Sequence, residues 1–136
     1  MLTDQEVLKM DEKAYMCEDQ ESFFRHKLLE MKQEAQDRLT QAREVLSSTH
    51  ANSDPLDDAT DEEIRDITLI RIARDTKVYH EIEDALDRLH NHEYGYCLLT
   101  GDVLGIPRLL ANPLALYTTQ ATSTLETFGK GGEGVA

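Results

Sequence analysis

A mainly α protein, built as a long antiparallel coiled-coil hairpin with a small globular head and a C-terminal helix, is predicted by three observations. Two long segments, about Glu18 to Ser48 and Asp61 to about His92, lack glycine and proline and repeat apolar residues at spacings of three and four. They are of similar length and a short acidic turn joins them. Past Glu93 the charge falls away, and glycine, proline, leucine and threonine take over.

In chain order, residues 1–16 hold a short helix or arm, because Thr3-x-x-Glu6 has the capping-box form ahead of Val7, Leu8 and Met10. It is expected to fray unless it docks. Residues 17–92 form the hairpin, with its tip at 50–60. On the first arm Phe24, Leu28, Met31, Ala35, Leu39, Ala42 and Leu46 make one face. About 30 residues at about 1.5 Å each give a rod of about 45 Å. On the second arm Ile64, Ile67, Ile70, Val78, Ile82, Ala85, Leu86 and Leu89 make the matching stripe, at whose edge the stems of Arg71, Arg74 and Lys77 either snorkel over the seam or face a partner. Two such helices bury their stripes by lying antiparallel.

The turn is Asp54-Pro55-Leu56-Asp57-Asp58-Ala59. Proline lacks a backbone donor and turns the preceding residue away from helical angles, so the first arm ends there. Thr60-Asp61-Glu62-Glu63 then reads as the capping box of the second arm. From Asp54 to Asp66 seven acids stand against Arg65 alone, an acidic knob between two arms. Residues 93–128 form the head with its C-terminal helix, where Gly101 and Gly105 mark turns and Pro107 and Pro113 forbid a long helix between them. A last helix is expected over Tyr117 to Phe128, packing Leu125 and Phe128, and 129–136 read as a flexible glycine-rich tail.

The 136 residues carry 27 acids against 14 lysines and arginines, a formal charge of -13, with 40% hydrophobic residues and a mean hydropathy of -0.52. That balance predicts an elongated, thinly packed shape. It disfavours phosphate backbones, so direct DNA or RNA binding is not expected, and a basic groove on a protein partner fits better. Cys17 and Cys97 give no disulfide framework, and the acidic start lacks signal-peptide features. A cytoplasmic protein, free of membrane and monomeric, is expected.

The head motif Tyr94-Gly95-Tyr96-Cys97-x-x-Thr100-Gly101, followed by Gly105, Arg108-Leu109, Ala111, Pro113 and Ala115, resembles the signature of the DksA/TraR family of bacterial transcription factors. The likeness extends to Tyr15-Met16, to both arms, and to Asp54-Pro55, Asp57 and Ala59 at the tip. What the resemblance implies is a factor that binds RNA polymerase, places its tip in the secondary channel beside the catalytic centre, and modulates initiation, repressing ribosomal promoters in the manner of the stringent response. Asp57 and Ala59 match the family's active tip residues, with Asp54 and Asp58 beside them and Arg74 as a polymerase or effector contact on the second arm. No chemistry of its own is implied.

Three departures from the family pattern carry expectations. At its zinc-ligand positions stand Cys97, Thr100, Thr118 and Ala121; one thiol, two hydroxyls and a methyl do not make a tetrahedral site. The resemblance therefore points to a zinc-free, zinc-finger-like head held by Leu98, Leu99, Val103, Leu104, Ile106, Leu109, Leu110, Leu114 and Leu116. Arg74 matches one basic residue of the family's guanosine tetraphosphate site, but Glu81, Asn112 and Thr122 align with the others, so alarmone synergy is expected to be weak or absent. Asp58 replaces a basic or neutral tip residue.

His90-x-His92 with Cys97 lacks a fourth metal ligand. Neighbouring acids such as Glu81 and Asp84 lack the cleft that acid–base chemistry needs. Two other functions stay open: a competitor that occupies the channel without regulating initiation, and an acidic helical-hairpin adaptor or chaperone for another basic protein. A metal-dependent hydrolase stands third.

Overall fold

The computed structural model describes the backbone of residues 2–48 and 55–133 and the side chains of residues 2–48 and 60–127. The order is α1 (Asp4–Leu8), a single 3-10 turn (Glu12–Ala14), α2 (Glu18–Ser48), α3 (Pro55–His90), α4 (Ile106–Ala111) and α5 (Thr119–Glu133). Two compact units are built from these, Leu28–Asp84 and the combination of Met1–Lys27 with Ala85–Ala136.

The unit Leu28–Asp84 is the helical hairpin. Leu28, Ala35, Leu39 and Ala42 on α2 are buried, as the first-arm stripe predicts. The second-arm stripe holds toward its C-terminal end, where Ile82, Ala85 and Leu89 are buried, but departs from the predicted face in its first turns. Ile64, Ile67 and Ile70 are exposed at 39%, 52% and 68%, while Thr68, Asp75 and Ile82 are buried, seven residues apart. Two interleaved stripes at heptad spacing run along α3, and periodicity alone cannot say which one meets α2. The polar pair fits because each member finds a partner. Thr68 donates its hydroxyl to the Ile64 carbonyl at 2.6 Å, and Asp75 accepts from Arg38 Nε at 3.4 Å. Beside them Tyr79 accepts from Gln36 at 3.3 Å and lies under the Lys32 ammonium, 5.5 Å from the ring centre.

The helix starts are also corrected. α3 begins at Pro55, so Thr60 lies inside the helix rather than capping it. Proline suits a first helical position, where its fixed φ is right and its missing N–H has no partner to lose. α5 runs on to Glu133, through part of the stretch expected as a tail. Each residue added to an existing helix gains a hydrogen bond without a new nucleation step, although Gly129, Gly131 and Gly132 each cost about 1 kcal/mol relative to alanine.

In the second unit Thr3 caps α1 by accepting the Glu6 amide at 3.2 Å. The short helix docks: Val7 is fully buried, α1 packs against α4, and Asp4 meets Lys27 at 3.3 Å. An aromatic chain fills the centre, with Phe23 edge-on to Phe24 at 5.1 Å and Phe24 tilted against Tyr94 at 5.6 Å. Buried beside it are Ala85, Leu89, Cys97, Leu104, Leu109, Ala115 and Ala121. Three residues expected in this core, Leu98, Leu99 and Val103, are exposed at 55%, 52% and 56%. The backbone turns back between them, since Tyr96 and Val103 form an antiparallel bridge and Cys97 donates to the Asp102 carbonyl at 2.7 Å. In so tight a reversal only Cys97 and Leu104 face inward.

Candidate functional site

The tip predicted to act lies mainly outside the described residues. Asp54 falls there entirely, and so do the side chains of Asp57, Asp58 and Ala59, whose backbone belongs to the first turns of α3. Further along α3, Glu62, Glu63 and Asp66 are exposed and Asp61 is half-buried. Arg74 is exposed on the same helix and Glu81 is half-buried.

The head is held by a clasp that reaches across the sequence. The Tyr15 hydroxyl donates to the Gly95 carbonyl and accepts from the Gly105 amide at 3.1 Å. Its ring meets Tyr96 edge-on at 5.8 Å. Gly95 has φ +92°, and a Cβ there would stand 2.9 Å from the Tyr15 hydroxyl and 3.1 Å from Met16 Cγ. Burial pushes the Tyr15 phenol above its ordinary value, against the donors of Gly105 and Leu104. Tyr94, also raised by burial, donates to the Pro113 carbonyl at 2.7 Å. Sequence reasoning used Tyr15, Gly95 and Gly105 as a signature without seeing that they bond to one another; a glycine between two tyrosines was the signal of close approach.

Three of the four positions aligned with zinc ligands meet around one sulfur. Cys97 is 3% exposed. Burial raises its thiol, but hydrogen bonding from the nearby Thr100 hydroxyl and the Thr118, Thr100 and Leu99 amides lowers it, and the net pKa comes down to about 6. The Thr118 hydroxyl is occupied elsewhere, accepting the Ala121 amide at 3.1 Å as the cap of α5. Ala121 adds only a buried methyl. A single thiol, a hydroxyl engaged in capping α5 and a methyl do not fit a zinc ion, which needs four electron-pair donors. No group of three or more His, Cys, Asp or Glu suited to a metal occurs among the described residues. His92, from the His90-x-His92 pair, instead meets Glu21 at 3.1 Å.

Arg108 is a structural find that the sequence did not single out beyond its place in the motif. It donates through Nε to the Tyr117 carbonyl at 2.7 Å and through its Nη atoms to Thr119 at 3.4 Å and Thr122 at 3.5 Å. This guanidinium ties α4 to the start of α5. Thr122, at an aligned effector position, is thereby engaged, and Asn112 uses its side chain to accept the Leu114 amide at 3.1 Å.

A helical hairpin joined to a zinc-finger-like head without the zinc ligands is the class of protein these features define. The family model described as "DnaK suppressor protein DksA, N-terminal domain" matches residues 20–89. The RNA polymerase-binding transcription factor DksA of Caulobacter vibrioides is 33% identical over 115 residues, covering 82% of this chain and 79% of that protein. The factor of the same description from Escherichia coli K12 is 32% identical over 102 residues, covering 74% of this chain and 68% of that protein. The solved structure of transcription factor DksA2 from Pseudomonas aeruginosa superposes with a TM-score of 0.87 at 36% identity, covering 94% of this chain and 99% of that one. The chain belongs to the DksA family.

Proposed function

We propose that this protein binds RNA polymerase and regulates transcription initiation by placing the tip between α2 and α3 in the enzyme's secondary channel. The observation that carries the reading is the family membership, supported by Asp54-Pro55, Asp57 and Ala59 matching the family's tip in the sequence between the two arms. A carboxylate on a stiff helical arm suits a confined channel, where charge-assisted hydrogen bonds are stronger than at an open surface. The protein works in the cytoplasm, by binding rather than by chemistry of its own. Its charge of -13 supports a protein partner over DNA or RNA. The head functions without zinc, because its ligand positions carry one thiol. Guanosine tetraphosphate adds little through the family's site, since Glu81, Asn112 and Thr122 replace basic residues there. No helix among the described residues is long and apolar enough to cross a membrane, which agrees with this setting.

The test is a titration of in vitro transcription with the cognate holoenzyme on a ribosomal and a control promoter, with and without guanosine tetraphosphate. Repression confined to the ribosomal promoter and unchanged by the alarmone is expected. Binding without any promoter effect would replace the regulator with the competitor, and absence of binding would favour the adaptor.

A further inference from the structure

The exposed stripe of α3 has a charge pattern that complements its own reversal. Glu63, Ile67, Ile70 and Arg74 follow one another at spacings of four, three and four, so they share one face, with Asp66 and Arg71 flanking it. Ile67 and Ile70, 52% and 68% exposed, form its apolar centre. Acids lie on its N-terminal side and arginines on its C-terminal side, and Glu63, Asp66, Arg71 and Arg74 are all exposed.

The arginines stand out because the chain holds nearly twice as many acids as bases, 27 to 14. At three and four residues from Arg74, the helix offers only Ile70, Arg71, Lys77 and Val78. Arg71 has one carboxylate at that range, Asp75, which already accepts from Arg38 at 3.4 Å. Among the described residues neither arginine makes an ion pair. Both cations therefore look outward for a carboxylate.

We propose that this face of α3 pairs with a second copy of the chain through an antiparallel, two-fold contact. Reversal about the midpoint between Thr68 and Leu69 sets Ile67 opposite Ile70 and Glu63 opposite Arg74, while Asp66 and Arg71 lie on opposite flanks of the face and do not meet. Two-fold symmetry repeats each pairing, so four isoleucines close over one another between one Glu63–Arg74 ion pair on either side. Helix axes about 8–10 Å apart bring such side chains into contact. A different partner would need an acid on only one side; the opposite signs on either side of the isoleucines are what a self-complementary contact requires. The charge of -13 on each copy opposes the association, so the pair is weak and the monomer prevails in dilute solution. Arg74 is covered in the pair, which withholds it from any other partner. This inference goes beyond the polymerase reading, and its test contains no polymerase, so either can fail without the other.

Sedimentation equilibrium of the full chain, from about 5 µM to about 1 mM, reads the association directly. The mass is expected to rise from 15.5 kDa toward twice that value. Glu63→Arg and Arg74→Glu should each weaken the association by about tenfold or more, and the double variant should return to within about threefold of the parent, with far-ultraviolet circular dichroism confirming that all are folded. A monomer mass throughout would overturn the proposal and leave the face to a different protein. Association of Arg74→Glu as tight as the parent's, or a double variant no better than the singles, would overturn it equally.

Discussion

Gly95 shows how one backbone position can fix the meeting of two distant segments. Its φ of +92° is strained for any residue with a Cβ, and that Cβ would press on Tyr15 and Met16. Gly95→Ala is expected to lower unfolding stability by about 2 kcal/mol in urea denaturation. Gly101→Ala is the control: φ is +78° but nothing lies within 4 Å, so only the backbone cost of about 1 kcal/mol applies. Equal losses for the two would show that the clasp does not resist a side chain. Cys97 carries a second consequence at this scale. Its thiol lies near 6 when folded, against an ordinary value of 9.0. Between those limits the unfolded chain holds a proton that the folded chain has released, so stability rises with pH. The contribution is fully present above the ordinary value and lost as pH falls through about 6. In a Cys17→Ser background, thiolate absorbance should therefore titrate near pH 6, and Cys97→Ser should flatten the rise of melting temperature between the two values. An unchanged slope in that variant would remove the Cys97 thiol as its cause.

At the scale of the element, α3 departs most clearly from its sequence reading. The helix itself was legible from its period and freedom from breakers, and α2 showed its buried face because one apolar stripe ran its length. On α3 the apolar residues Ile64, Ile67 and Ile70 gave the stronger hydrophobic signal, yet Thr68 and Asp75 take the seam. Their suitability depends on partners, the Ile64 carbonyl and Arg38, that no one-dimensional period reveals. Asp75 is 13% exposed while Arg38 is 49% exposed, so Arg38 keeps its hydration when its partner is removed. Asp75→Leu should then exchange a weakly repaid carboxylate for apolar contact and stabilise the chain by about 1 kcal/mol. A lower unfolding midpoint would mean that the Arg38–Asp75 bond, rather than burial, holds this part of the hairpin.

For the whole molecule, the head's bonding was the least legible part of the fold. Cys97, Thr100 and Thr118 could be aligned, but that the two threonines would supply donors to the sulfur depends on a fold that brings positions 97 and 118 together. The tip residues themselves lie mainly outside the described residues, and only the backbone of Asp57, Asp58 and Ala59, within the start of α3, is placed. If the arms and head provide the grip and the tip the effect, the two properties separate under mutation. Asp57→Asn removes one charge and preserves size, leaving the helix and the distant surfaces intact. Binding to the cognate polymerase, measured by competition with a labelled parent chain, is expected to stay within about threefold, a difference below 1 kcal/mol. Repression of the ribosomal promoter should fall by tenfold or more, about 1.4 kcal/mol of interaction made only at the catalytic centre. A parallel loss of both would place Asp57 in the grip, and full repression by the variant would move the effect to Ala59 or its neighbours.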